Sequence, residues 1–274
     1  MTEYYLREDL ARHWDRDDPF KHAMELDGEL FRDMPSRRTL RFFCNKQPYF
    51  AKIHTGVGWR EIIKNLLQGR MPILDASPEW HAIKRLEEIG VETMTIAGYG
   101  VRRWNPAQRE SFLITESLQN TESLEDFCRE WQTSPPTFPL KNHMITKVAS
   151  ISRQLHQNGI NHRDYYICHF LLDLQQGKES LEKDKIKLFL IDLHRSQIRK
   201  KVPIRWLIKD IGSLYFSAMD IGLTQRDIFR FIEIYSGQPW RQSLIQDRRF
   251  WEKVTARAIT LYEKMHHRKP KLLF

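Results

Sequence analysis

Four residues, met in fixed order along the chain, are of the types that phosphoryl transfer requires. Lys52 lies in the alternating run Tyr49-Phe-Ala-Lys-Ile53, Glu79 in the first turn of a helical stretch, Asp164 at the end of His162-Arg163-Asp164, and Asp192 at the end of Leu188-Phe-Leu-Ile-Asp192. A lysine pinned by a glutamate can hold nucleotide phosphates, one aspartate can orient and deprotonate a hydroxyl, and another can hold Mg²⁺. Each signal has a plainer reading by itself. A strand lysine usually faces solvent, a first-turn glutamate is stabilised by the helix dipole alone, and a three-residue motif recurs by chance. What carries the reading is order together with context: the triplet directly follows a helix and precedes a strand pair whose second member ends in an aspartate.

The elements that must position these groups can be read from periodicity. Thr39-Leu-Arg-Phe-Phe43, a turn at Asn45-Lys-Gln-Pro48 and the run 49–53 form a hairpin. Trp59, Ile62, Ile63, Leu66 and Leu67 recur at helical spacing, with Gly69 as a stop. A second helix starts at Ser77-Pro78, with serine as N-cap and proline in the first position, and runs to Gly90. Its apolar stripe is Ala82, Ile83 and Leu86; Glu79 shares that stripe, so its carboxylate faces inward and calls for a buried cation. Strands are expected at 93–98 and 111–116, and the polar stretch 119–123 and Ser134-Pro-Pro-Thr-Phe-Pro139 bracket a short helix, as a hinge and an entry loop. Met144, Val148, Ile151 and Leu155 mark a long helix closed by Asn158-Gly159. Phe170-Leu-Leu172 and Leu188-Phe-Leu-Ile191 flank the polar tract 175–187 as a hairpin with a long loop, and Pro203 opens the first of several amphipathic helices.

Composition sets the outer bounds. A chain of 274 residues can bury a substantial core, as one bilobal catalytic unit or two small domains. Cys44, Cys128 and Cys168 are odd in number and have no C-x-x-C spacing, which suggests neither a disulfide framework nor a zinc knuckle and suits a reducing compartment. There is neither a basic segment followed by an apolar run at the start nor an apolar stretch long enough to span a bilayer, so a cytoplasmic protein is expected. The net charge of +9 favours an acidic partner: nucleic acid, anionic lipid, a phosphorylated substrate or an acidic protein. Without zinc spacing, a basic heptad helix or an RNP-like strand, no nucleic acid is expected.

Three longer runs carry a resemblance. Asn161-His-Arg-Asp-Tyr-Tyr-Ile-Cys-His-Phe-Leu-Leu172, Ile191-Asp-Leu-His-Arg195 and Tyr49-Phe-Ala-Lys-Ile-His-Thr-Gly-Val-Gly-Trp59 resemble the lipopolysaccharide core heptose kinases, the WaaP or RfaP group. The likeness extends from Arg37-Arg-Thr-Leu through Asp210-Ile-Gly-Ser-Leu214 to Asp220-Ile-Gly-Leu223, most of the chain. It implies an α+β, protein-kinase-like bilobal fold, with a sheet-plus-helix N-lobe over 1–118 and a mainly helical C-lobe over 119–274. It also implies ATP and Mg²⁺ as cofactors and transfer to the first heptose of the inner core. The acceptor would be a lipid A-core glycolipid, met peripherally on the anionic cytoplasmic face of a Gram-negative inner membrane. By the same resemblance Lys52 pairs with Glu79 and contacts the phosphates, Asp164 is the base, and Arg163 is scaffold. Asp192 chelates Mg²⁺, Asp210 ties down the catalytic-loop backbone, and Glu116, Ser117 and Leu118 offer backbone groups to adenine.

The chain also departs from the protein-kinase pattern. His169 stands where the catalytic loop of a protein kinase has a metal-binding asparagine, and imidazole is a poor ligand for Mg²⁺. A single-metal mechanism, a phosphate contact and a structural histidine therefore all stay open. No G-x-G-x-x-G precedes Lys52; the corresponding turn is Asp33-Met-Pro-Ser-Arg-Arg38, whose Arg37 and Arg38 can cradle phosphate bidentately or simply be exposed. The short segment from Asp192 to Asp210 lacks Ala-Pro-Glu, which suits a small or glycolipid acceptor better than a peptide. Arg195, Arg199, Lys200, Lys201 and Arg205, with Arg60 and Lys64 on the post-lysine helix, can meet acidic core sugars or serve as surface charge. The tail Lys264-Met-His-His-Arg-Lys-Pro-Lys-Leu-Leu-Phe274 suits an anionic leaflet, or a frayed end. Two rivals stand beside this reading: a kinase of Kdo or another sugar, and a non-catalytic, pseudokinase-like scaffold for an acidic protein or lipid.

Overall fold

The computed structural model describes residues 2–14, 18–34, 36–69, 72–177, 181 and 186–271. The expectations for Pro35 in the arginine turn, for 178–180 and 182–185 in the polar tract, and for the apolar end of the tail at 272–274 lie outside the described residues. The chain divides into two units, the first made of Met1–Arg85 with Met94–Leu118 and the second of Leu86–Thr93 with Gln119–Phe274.

The first unit runs β1 (Thr2–Leu6), α1 (Glu8–Ala11), α2 (Pro19–Glu25), β2 (Glu29–Met34), β3 (Arg37–Cys44), β4 (Gln47–His54), α3 (Gly58–Leu67), α4 (Ser77–Glu88), β5 (Ile96–Arg102) and β6 (Glu110–Glu116), the unit boundary falling within α4. Its antiparallel sheet has the order β1-β5-β6-β4-β3-β2. Strand alternation sends Leu40, Phe42, Tyr49, Ala51, Ile53, Phe112 and Ile114 to one face, where they pack with Leu10, Trp14, Phe20 and Ala23 as the core. Lys52 has the opposite parity and faces away from that core.

The β3–β4 turn is tighter than the four residues expected. Asn45 and Lys46, with φ of 50° and 66°, complete it, and Gln47 and Pro48 already pair with Cys44 and Phe43. Arg37 and Arg38 belong to β3 and not to a turn. The expected strand at 93–98 begins only at Ile96.

Ser77 does not cap α4. The Ala76 carbonyl accepts the Trp80 amide at 3.1 Å, and the Ser77 hydroxyl meets the Tyr99 hydroxyl at 2.8 Å. Capping passes to Asp75, which accepts the Ser77 amide at 2.8 Å and, on its other oxygen, the Arg109 guanidinium at 2.8 Å. Burial alone would raise the Asp75 carboxyl, but Arg109 and Ser77 outweigh it and hold the group below its ordinary range.

The second unit runs β7 (Thr121–Ser123), α5 (Leu124–Phe127), α6 (Phe138–Gln157), β8 (Ile160–Asn161), β9 (Phe170–Asp173), β10 (Leu188–Leu190), β11 (Gln197–Ile198), α7 (Ile204–Ser217), α8 (Gln225–Ser236), α9 (Trp240–Gln246) and α10 (Arg248–His266). Its strands form two small antiparallel sheets, β10-β9-β7 and β11-β8. After α6 the chain turns at Gly159, where φ is 78° and an added Cβ would stand 1.7 Å from the Arg199 carbonyl oxygen. Only glycine permits that approach, which sets β8 against β11 just ahead of the His162-Arg163-Asp164 loop. An apolar cavity of about 100 Å³ lies among Leu124, Trp131, Met144, Val148, Ile211 and Trp251. Among the described residues no helix is long and apolar enough to cross a membrane.

Candidate active site

In the first unit, Lys52 on β4 places its Nζ 2.5 Å from Oε1 of Glu79 in the first turn of α4. Glu79 is buried, and a carboxylate removed from water in this way is tolerable only with its cation present. Arg38 donates to the Leu26 carbonyl at 2.7 Å and the Met24 carbonyl at 3.4 Å, so its guanidinium ties down the C-terminal end of α2. Arg37 and Arg38 line one pocket with Asp33, Met34 and Thr55.

The Glu116 side chain pairs with Arg7 at 2.7 Å. Arg7 also pairs with Asp9, which accepts the Tyr49 hydroxyl at 2.6 Å. Arg7 holds the Asp9 carboxyl well below the usual carboxylate range, while burial and the Asp9 hydrogen bond push the Tyr49 phenol up to about 12. Backbone amides of Glu116 and Ser117 donate to the carbonyls of Thr95 at 2.9 Å and Pro48 at 3.0 Å. Those two donors are therefore already engaged within the unit, which narrows the backbone groups of 116–118 that an adenine edge can use.

In the second unit, α7 supplies Asp210, fully buried, whose two oxygens accept successive backbone amides: His162 at 2.7 Å and Arg163 at 2.9 Å. His156 of α6 adds its Nε2 to Asp210 at 3.4 Å, and its Nδ1 meets the Tyr235 hydroxyl at 2.8 Å. The loop so anchored is bent, with Arg163 at φ 76° and its guanidinium over the Trp206 ring at 5.0 Å. Burial lowers Arg163 from its ordinary value, and its Nε lacks a hydrogen-bond partner among the described residues.

His162 is fully buried, and burial pushes its imidazole down, towards the neutral form. Its Nε2 donates to the Ile191 carbonyl at 2.9 Å, joining the 162–164 loop to the residue before Asp192. Asp164 accepts Arg195 Nη1 on both oxygens, at 2.9 and 3.1 Å. Arg195, expected to face the acceptor, is thus in direct contact with the candidate base.

Asp192 lies beside two imidazoles, hydrogen-bonded to His194 Nδ1 and 3.5 Å from His169 Nε2. His169 Nδ1 donates to the Asp164 backbone carbonyl at 2.7 Å, which fixes the tautomer of the neutral ring with its Nε2 lone pair towards Asp192. Two acceptors facing one another need a proton or a cation between or beside them. Mg²⁺ is commonly held by one or two carboxylates with the rest of its shell from water and nucleotide phosphate, so a single aspartate here fits it. Among the described residues no group of three His, Cys, Asp or Glu side chains converges as a metal centre.

Arg60 and Lys64 lie on α3, exposed, with Lys64 3.4 Å from Glu61. Sequence reasoning assigned no part to His162, His156 or His194. For His194, two residues from Asp192, proximity was a usable signal; His156 is 54 positions from its carboxylate and carried none.

The chain is similar to known lipopolysaccharide kinases. The sequence profile described as the lipopolysaccharide kinase (Kdo/WaaP) family matches residues 21–235. The chain is 49% identical over 260 residues to the lipopolysaccharide core heptose(I) kinase WaaP of Escherichia coli (strain K12), spanning 94% of this chain and 97% of that one. Identity to the protein of the same description from Pseudomonas aeruginosa is 44% over 259 residues, spanning 94% and 96%. A solved structure of WaaP in complex with acyl carrier protein matches with a TM-score of 0.83 at 40% identity, covering 95% of this chain and 100% of that one.

Proposed function

The chain belongs to the lipopolysaccharide kinase (Kdo/WaaP) family, with a kinase-like α+β fold, and from that premise we propose that it transfers the γ-phosphoryl group of ATP to the first heptose of the lipopolysaccharide inner core. The observation that supports the residue roles best is the grip of buried Asp210 on the His162 and Arg163 amides, which stiffens the loop bearing Asp164.

Lys52, steadied by Glu79, binds the nucleotide phosphates. Asp164 accepts the proton of the heptose hydroxyl as that oxygen attacks phosphorus and ADP departs. Arg195 orients the Asp164 carboxylate and shields it until the hydroxyl arrives. Asp192 would hold Mg²⁺, and His169 Nε2 lies 3.5 Å from that carboxylate. The metal, when bound, offsets charge on the phosphate oxygens. Leu118, with the carbonyls beside it, meets the adenine edge, and Arg37 supports the phosphates from β3.

A lipid A-linked acceptor places the working protein at the cytoplasmic face of the inner membrane, bound peripherally. The solved relative is in complex with acyl carrier protein, and an acidic carrier of that kind is the protein partner we assign to this chain of charge +9.

The test is transfer of labelled γ-phosphate from ATP to dephosphorylated inner-core lipopolysaccharide, with Asp164→Ala as control. Label on the heptose with wild type and a loss of about a hundredfold or more in the variant is the expected result. Label on Kdo instead, or equal rates for the two proteins, overturns the acceptor or the base respectively.

A further inference from the structure

Helix α3 is amphipathic, yet most of its apolar surface faces water. Only Ile62 is buried, while Trp59, Ile63, Leu66 and Leu67 are 55%, 53%, 53% and 84% exposed. At 100° per residue these four occupy an arc of roughly 100°. Ile62 lies at its inner edge, and the exposed cations Arg60 and Lys64 run along its other edge. Glu61 and Asn65 fall on the far side, joined to each other by Asn65 Nδ2 donating to Glu61 Oε1 at 2.9 Å. The helix is firmly rooted: it follows Gly56, where φ is 93° and an added Cβ would meet the Ala107 carbonyl oxygen at 2.7 Å. Four large apolar side chains on one short helix are more than scattered surface residues, and such a cluster marks an interaction surface.

We propose that α3 docks the protein on an anionic lipid bilayer, lying in the interface with Trp59, Ile63, Leu66 and Leu67 in the acyl boundary and Arg60 and Lys64 at headgroup phosphates. The proposal rests on the kinase reading to the extent that a lipid-linked acceptor makes a membrane surface the place of work. Charge favours this occupant. Cations bordering an apolar arc can extend along it and keep their heads at the phosphates, and a chain of net charge +9 is drawn to an anionic leaflet. The ridge, about 12 Å from Trp59 to Leu67, is far shorter than the roughly 30 Å hydrocarbon core, so the helix would lie in the interface and not span it.

The experiment is co-sedimentation of the full chain with vesicles of phosphatidylethanolamine and phosphatidylglycerol. Wild type is compared with a variant carrying Ile63→Gln, Leu66→Gln and Leu67→Gln, all at exposed positions, and thermal melting establishes that the variant is folded. Vesicle partitioning is expected to fall at least about tenfold in the variant, and wild-type binding to weaken in high salt. Both proteins should phosphorylate deacylated, dephosphorylated core oligosaccharide at the same rate. Equal vesicle binding by the two proteins, or no binding by wild type, overturns the proposal. So does a variant that keeps vesicle binding but loses self-association or capture of an acyl carrier protein, which would assign α3 to a protein partner. Vesicle binding through α3 with no transfer to the oligosaccharide would sink the kinase reading and leave the docking surface standing.

Discussion

Asp210 holds two backbone amides and an imidazole with one carboxylate, completely out of water. In Asp210→Asn one oxygen becomes an NH₂ group aimed at an amide N–H. That change should destabilise the protein by roughly 2–3 kcal/mol in urea unfolding and lower kcat with little change in ATP affinity. Arg195→Ala tests the contact with Asp164: turnover should fall about tenfold or more with the Kd for ATP unchanged, and Arg195→Lys should restore part of it. Lys52, Glu79, Asp164 and Asp192 could be picked out because their types are uncommon on apolar runs and their order matches a reaction. Their partners could not. Neither the pairing of Arg195 with a carboxylate 31 positions away nor that of His156 with Asp210 leaves a local pattern, because both depend on the packing of distant segments.

At the scale of elements, periodicity was a good guide wherever one face is covered. The β3–β4 hairpin, α4, α6 and α7 form near their expected positions for that reason. β1 went unread: its residues are mostly exposed, so it has no alternation to betray it, and it exists because it pairs along β5. α3 shows the reverse limit, since spacing reveals an amphipathic helix but not what covers its apolar side. Caps at α4 and α8 link fold to pH. Asp227 would be raised by burial, but Lys141 and the Thr224 amide and hydroxyl outweigh this and hold it below its ordinary 3.8, as Arg109 and Ser77 do for Asp75. Both folded values lie below the unfolded ones, so the unfolded chain binds more protons in acid. Their stabilisation is complete above about pH 4 and is lost as pH falls through the depressed folded values. The melting temperature should therefore drop steeply below pH 4. Asp75→Ala and Asp227→Ala, each about 1 kcal/mol or more less stable near neutrality, should flatten that drop.

For the whole molecule, ligand linkage gives the broadest check. Mg-ATP at a hundred times its Kd should stabilise the folded chain by about 2.7 kcal/mol, read as a rise in melting temperature. In Asp192→Asn the part of that rise that requires Mg²⁺ should disappear, and in Lys52→Ala most of the nucleotide effect should go with it. An unchanged, metal-dependent shift in Asp192→Asn would remove Asp192 from the metal. Family membership was legible because three long runs of residues are shared across most of the chain. Charge gave only the sign of a protein partner, and the glycolipid acceptor came from the resemblance alone, because surface complementarity is assembled from residues far apart in sequence.

Asp192 adopts a left-handed backbone, φ 61° and ψ 48°, and Arg163 bends the same way at φ 76°. Such conformations cost a non-glycine residue on the order of 1 kcal/mol, and the chain accepts that cost at Arg163, beside the proposed base, and at Asp192, the proposed metal ligand. Under selection for folding alone, glycine would be favoured at 192. A library screened only for thermal tolerance should therefore discard this aspartate early, whereas one screened for growth that depends on the core phosphate should keep it and improve stability elsewhere.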